Sequence, residues 1–171
     1  WYNNKQIEFE AFYKNDSLYG YARWWHKDGK PDMEGKLIND LQDSVWIFYH
    51  SNGKKGSIGN FVKGILHGKW TYFYETGEKW REGKFKNGKR DGLWIAWFES
   101  GQKQREGNFV NDFEEGLWTS WYNDGKISDK GYFKNGIMNG KWEGWYTSGI
   151  KKYEAHYIDG FKNGFSVTYF T

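Results

Sequence analysis

The sequence predicts an all-β chain: an antiparallel meander of about seven β-hairpin repeats, each 24 residues long, forming an elongated, twisted single-sheet ribbon with open, β-solenoid-like character. Three observations carry this expectation. Six glycines fall at strict 24-residue intervals: Gly29, Gly53, Gly77, Gly101, Gly125 and Gly149. An aromatic residue stands four positions before each of them: Trp25, Tyr49, Phe73, Trp97, Trp121 and Trp145. Short runs rich in aromatic and β-branched residues are bounded by Asn-Gly, Asp-Gly and Ser-Gly pairs, and no stretch sustains the i, i+3, i+4, i+7 pattern of a helix.

Position 0 of each repeat is taken at Gly20, Ser44, Gly68, Gly92, Gly116, Gly140 and Gly164. The first strand then covers about positions 1 to 7, as in residues 93–99, where aromatic and aliphatic side chains suit a pleated surface. Position 9 is the periodic glycine, which takes a positive φ at no steric cost in a hairpin turn. The second strand covers about positions 11 to 18, as in residues 103–110. A longer turn, residues 87–92 in one repeat, returns the chain to the next. The single proline, Pro31, lies beside a turn, which leaves the strands free to donate hydrogen bonds. Strands about 4.8 Å apart would advance the array by roughly 10 Å per repeat.

The core expectation follows from the same register. Position 2 is Trp46, Trp70, Trp94, Trp118 and Trp142, and position 15 is Gly35, Gly59, Gly83, Gly107 and Gly131. A tryptophan across from a glycine covers a bare strand position. Position 17 shares that face by the period of two, and position 6 adds His26, His50, Tyr74, Phe98, Tyr122, Tyr146 and Phe170. Rings at positions 2, 6 and 17 over the glycine are expected to make one aromatic layer. With 22% aromatic residues and few Leu, Ile or Val, burial has to come from such rings.

Composition excludes several function classes. Twenty-five basic and 22 acidic side chains are interspersed, for a net charge of +3, so no nucleic-acid stripe is expected. No apolar run is long enough for a transmembrane segment. The chain has no Cys, which excludes disulfides and thiolate chemistry and leaves the compartment open. The periplasm or surface of a bacterium is preferred to the cytoplasm as its setting. The register runs through 1–171 as one continuous array that starts and stops within a repeat, Trp1 and Tyr2 matching positions 5 and 6. The native protein is therefore expected to continue past these ends, or to pair its edge strands with another chain or with itself.

Segments such as Glu82-Gly83-Lys84-Phe85-Lys86-Asn87-Gly88-Lys89-Arg90-Asp91-Gly92-Leu93-Trp94 carry a recognisable signature. The chain resembles the MORN-repeat family, and specifically the bacterial, antitoxin-like MORN-variant proteins. The resemblance implies a β-hairpin array that acts as a scaffold or a dimerisation module. Departures from the pattern are Ser44 at position 0, Asp40 and Asp112 at position 20, and Ile58 and Lys130 where Glu stands at position 14. A looser similarity links the repeated aromatics to choline- and glucan-binding surface modules, which hold their ligands by cation–π attraction and stacking.

The functional expectation is a non-enzymatic scaffold that binds a protein partner. The candidate track is the position-5 stripe of Trp25, Tyr49, Phe73, Trp97, Trp121 and Trp145, which alternation places opposite the position-2 tryptophans. Trp1 and Tyr169 extend the same stripe. The alternative is a carbohydrate or choline-type ligand held by exposed aromatics. No catalytic residues, metal site or cofactor are expected. His26 and His50 are repeat mates about 10 Å apart, too far to share one zinc, and are assigned structural roles. Glu10, Glu34, Glu82, Glu106 and Glu154 recur once per repeat, which marks cross-strand pairing with Lys or Arg and not an acid/base pair.

Gly101→Val is expected to destabilise by roughly 1–3 kcal/mol, because a β-branched residue would be forced to a positive φ. Lys103→Ala should stay within about 0.5 kcal/mol, the scale of a surface change. Thermal melts of the two variants decide it; equal midpoints would remove the turn on which the register rests.

Overall fold

The computed structural model describes residue 3 and residues 5–170. Trp1, Tyr2 and Thr171, which the register also assigned, lie outside the described residues. Every regular element among the described residues is a strand. The chain forms two compact units, Trp1–Lys89 and Arg90–Thr171.

The first unit contains β1 (Phe9–Lys14), β2 (Ser17–Trp25), β3 (Pro31–Ile38), β4 (Leu41–Tyr49), β5 (Lys55–Val62), β6 (Ile65–Phe73) and β7 (Lys79–Lys86). A two-residue strand, β8 (Lys89–Arg90), falls at the division in sequence. The second unit contains β9 (Gly92–Trp97), β10 (Lys103–Val110), β11 (Phe113–Trp121), β12 (Ile127–Lys134), β13 (Ile137–Trp145), β14 (Lys151–Ile158) and β15 (Phe161–Thr168). Within each unit every strand pairs antiparallel with its neighbours in the chain, and among the described residues no pairing closes the meander on itself. The fold is the open, all-β antiparallel meander that the repeat predicts.

Two kinds of turn alternate. At the first, the His50 N–H donates to the Lys54 carbonyl at 2.8 Å and the Gly53 N–H donates back to the His50 carbonyl at 2.8 Å. Gly53 has φ 85°, so this is the three-residue loop whose glycine takes the left-handed conformation. The Asn52 side chain accepts from the Lys54 N–H at 2.9 Å, and Asp28 and Asp124 do the same for Lys30 and Lys126. These polar residues at position 8 each satisfy a backbone donor that the turn leaves over.

The second turn is shorter than the sequence suggested. It holds two residues, as at Asn135 (φ 52°) and Gly136 (φ 76°). Positive φ at both central residues gives the hairpin turn whose twist matches its strands. The residues that follow already belong to the next strand, and the glycine at position 0 sits in a β-bulge. Between β12 and β13 the register jumps from Phe133↔Met138 to Gly131↔Trp142, with Gly140 at φ 83°. The three departures from glycine keep this backbone: Ser44 has φ 62°, Asp40 φ 64° and Asp112 φ 75°. Asp is among the residues that tolerate that region, and here each carboxylate reaches back to the preceding repeat. Asp40 accepts from the Leu18 N–H at 2.7 Å and Asp112 from the Arg90 N–H at 2.8 Å.

The core is a layer of indoles lying on glycines. Trp46 is only 1% exposed, and Trp70, Trp94, Trp118 and Trp142 are buried as well. Trp46 pairs in register with Gly59 of its own hairpin and with Gly35 of the one before. Its ring lies on the earlier glycine: a Cβ at Gly35 would stand 2.3 Å from the indole, and 2.1 Å separates the equivalent points at Gly59 and Trp70, Gly107 and Trp118, and Gly131 and Trp142. Each indole N–H then donates to the carbonyl after that glycine, at 3.0 Å for Lys36 and Asn60, 3.2 Å for Asn108 and 2.9 Å for Tyr132. The position-17 ring meets the next indole edge to face, with centroids 5.2 Å apart for Phe61 and Trp70 and 5.0 Å for Phe133 and Trp142.

Position 6 does not join this layer; position 4 does. In the first unit Phe48 stacks between Trp46 (6.1 Å) and Trp70 (6.2 Å), and Tyr72 stacks on Trp70 at 5.9 Å. The strands end at position 5, so position 6 begins the turn and its polar tip reaches the following repeat. Tyr122 Oη donates to the Trp145 carbonyl at 2.8 Å and Tyr146 Oη to the Tyr169 carbonyl at 2.9 Å. His50 Nε2 makes the same contact with the Phe73 carbonyl at 3.0 Å, which is why His substitutes for Tyr there. The second unit lacks rings at position 4, where Ala96, Ser120 and Gly144 stand. Arg105 covers part of the layer instead, its guanidinium 4.4 Å from the Trp118 ring.

Gly59→Ala is expected to destabilise by about 1–3 kcal/mol or more, since its methyl would enter the Trp70 ring. Gly59 does not have a positive φ, so the cost comes from the ring alone. A double-mutant cycle with Trp70→Leu measures this by urea unfolding. The alanine should cost far less in the Leu background; additive costs would contradict the indole-on-glycine core.

Candidate functional site

The position-5 residues are each the last residue of a strand: Trp25 of β2, Tyr49 of β4, Phe73 of β6, Trp97 of β9, Trp121 of β11 and Trp145 of β13. All six are half-buried, whereas the position-2 tryptophans of the same strands, where present, are buried. Alternation along the strand turns them to the face opposite the indole layer. In the first unit Tyr49 Oη donates to Glu34 at 2.6 Å. In the second, Lys103 Nζ lies 5.7 Å from the centre of the Trp121 ring and Lys130 Nζ 5.3 Å from that of Trp145.

Next to this stripe runs a row of paired charges. Arg23 Nε meets Glu34 at 2.8 Å from directly across the strand pair. Lys79 and Lys69 meet Glu82 at 2.8 and 3.4 Å, and Lys103 meets Glu106 at 2.7 Å. Glu34, Glu82, Glu106 and Glu154 at position 14 are therefore ion-pair partners, as their spacing predicts. Glu143 was not foreseen. It stands at position 3, opposite Lys130, so the pair is reversed where position 14 departs from Glu. Glu143 also faces Glu154 directly, and Lys151 bridges both carboxylates at 2.8 and 2.7 Å. Lys141 adds contacts of 3.1 and 3.3 Å to the same two groups. Without these lysines, like charges facing each other would destabilise the sheet.

The electrostatics follow the geometry. The Lys151 ammonium, and then Lys141, hold the Glu143 carboxyl down at about 2 despite its burial. Burial, and then the hydrogen bond to Glu34, push the Tyr49 phenol up to about 12. For Glu34 burial is the largest single influence, and donors on Tyr21, Tyr49 and Arg23 together outweigh it to keep the carboxyl below its usual range. Among the described residues no group of three or more His, Cys, Asp and Glu side chains could hold a metal ion. Among the described residues no helix is long and apolar enough to cross a membrane, a statement that does not extend to strands.

One surface feature escaped the sequence reading. Apolar residues flank the two-residue turns in register pairs: Val62 with Ile65, Val110 with Phe113, Ile158 with Phe161. All six are exposed. Each residue after a turn leans over the turn glycine of the next repeat, Ile65 over Gly88 and Phe113 over Gly136. The signal was present in the sequence as an apolar residue on each side of position 19–20, but it was hidden by assigning those residues to a long loop.

A protein-family model described as a MORN repeat variant matches residues 66–87, 90–111, 114–135 and 138–159. The four segments span just over half of the chain, and each ends inside a two-residue turn. No curated protein matches the chain.

Glu143 contributes stability above its ordinary value of 4.5, because the folded state holds its proton less tightly than the unfolded state. That contribution is expected to fade as pH falls from about 4.5 through about 2. Urea midpoints measured across this window should fall more steeply for the wild type than for Glu143→Gln. Parallel curves would mean that the lysine cluster does not act on Glu143.

Proposed function

Because the chain belongs to the MORN-repeat variant family, we propose that it is a non-enzymatic repeat scaffold that binds another protein within a larger assembly. Repeats of this family serve generally as modules that bind proteins or membranes. We read residues 1–171 as one continuous array and place the contact along Trp25, Tyr49, Phe73, Trp97, Trp121 and Trp145. The observation that supports this most is the recurrence of one half-exposed ring per repeat, with Lys–Glu pairs on the adjoining strands at Lys79–Glu82, Lys103–Glu106 and Lys151–Glu154. Aromatic anchors with a charged border are the usual composition of a protein-binding surface. The choline-type alternative is less well supported on this stripe, since Lys103 and Lys130 already lie against Trp121 and Trp145.

The test is affinity capture from the native source with wild type, Trp97→Ala and Trp121→Ala. Each substitution should weaken retention of a specific protein by about 2 kcal/mol or more, the scale of an anchor residue. Their thermal midpoints should fall less than that of Trp94→Ala, which removes a buried ring at a cost of about 3–5 kcal/mol. Undiminished capture by both stripe variants, or tryptophan quenching by glycans or choline in place of protein capture, would refute the reading.

A further inference from the structure

An asparagine followed by glycine can attack itself: the glycine nitrogen, with no side chain beside it, reaches the asparagine carboxamide. Five such pairs occur in the chain, at Asn52-Gly53, Asn87-Gly88, Asn135-Gly136, Asn139-Gly140 and Asn163-Gly164. The turns close three of them to this reaction. The Gly53 N–H donates to the His50 carbonyl at 2.8 Å. The Gly88 and Gly136 N–H groups donate to the Leu66 and Glu114 carbonyls of the preceding hairpin, each at 2.9 Å. A nitrogen held in this way can turn onto the neighbouring side chain only when the turn opens.

The other two pairs lie in the bulge at position 0. Gly140 is half-buried and pairs in register with Tyr157 of the following hairpin. A Cβ on it would stand 3.7 Å from Tyr132. Asn163 and Gly164 are different. The pairing of β14 with β15 jumps from Tyr157↔Lys162 to Ala155↔Ser166, and among the described residues neither Asn163 nor Gly164 enters a register pair. Both are exposed, and no atom lies within 4 Å of the place a Cβ on Gly164 would take.

We propose that Asn163 is a site of spontaneous covalent modification, deamidating through Gly164 while the other four Asn-Gly pairs are protected by the fold. The Gly164 nitrogen attacks Asn163 Cγ and loses its proton. The Cγ–Nδ2 bond breaks, and Nδ2 leaves as ammonia with that proton. Water then adds to the resulting succinimide. Breaking the newly formed C–N bond leaves aspartate at 163; breaking the original peptide C–N bond leaves the chain linked through the side-chain carbonyl. Either route adds one negative charge to β15, whose one charged side chain is Lys162. Charge on an exposed strand is a device against pairing with further strands.

The experiment is to age the full chain in mildly alkaline buffer, folded and in urea, and to map conversion at each asparagine by proteolysis and mass spectrometry. In the folded chain Asn163 should convert faster than Asn52, Asn87 and Asn135 by about tenfold or more, since those turns must open before they can react. Asn139 should also lag behind Asn163. In urea the five rates should converge. Asn163→Gln should abolish the first acidic species that ion exchange separates from the aged folded chain. Earlier conversion at any other Asn-Gly pair, the same spread of rates in urea, no conversion at Asn163, or persistence of that species in Asn163→Gln would overturn the proposal.

Discussion

The contact of an indole with a bare glycine one strand away is what the rest of this structure depends on. Gly35, Gly59, Gly107 and Gly131 have no side chain because the ring of Trp46, Trp70, Trp118 or Trp142 occupies that volume. The ring in turn is placed by its own N–H, which finds a carbonyl beside the same glycine. A buried donor without a partner would cost more than the bond itself contributes. One contact therefore fixes register, rotamer and burial together. It also explains how a chain poor in Leu, Ile and Val covers a sheet face with side chains from that sheet alone.

Around this invariant contact the two units differ in how they finish the layer. The first uses rings at position 4, Trp24, Phe48 and Tyr72, and so has a core of stacked aromatics. The second has small residues there and brings long side chains from position 13. Arg105 lies over Trp118, and the Tyr153 ring fills the space a Cβ at Gly144 would need, 2.1 Å away. The opposite face is held by paired charges that are largely surface groups, each worth little alone. Its repeated rings stand at the strand ends, where the turns fix their backbones; Tyr49 is further held by Glu34, and Lys103 and Lys130 lie against Trp121 and Trp145.

Much of this was legible from the sequence, and the reasons are local. The 24-residue register, the alternating rings and the glycine turns at Gly53 or Gly101 each have a direct backbone meaning. The two-residue turn was misread because glycine at position 0 looks like turn chemistry; the same positive φ serves a bulge at Gly140. Trp46 was correctly set across from Gly59, yet its ring leans back onto Gly35, a choice between two equally spaced neighbours that spacing cannot make. Position 6 was assigned to the layer by extending strand alternation one residue past the strand's end. The reversed pair at Lys130 and Glu143 needed both departures to be read as one event.

Because Trp46, Trp70, Trp118 and Trp142 are each seated on the repeat before, each unit has a fixed step of length variation. Removing or duplicating 24 residues between equivalent points would return each ring to a glycine, and the new junction would be chemically the same as the old ones. A gain or loss of one residue inside a strand would instead set every later ring of that strand against a side chain and turn its layer to the wrong face. Only the three-residue loops, whose tips project beyond the paired strands, can absorb a change of a few residues without disturbing that seating. Lineages of such a protein should differ by whole repeats or by loop tips, and hardly at all by anything in between.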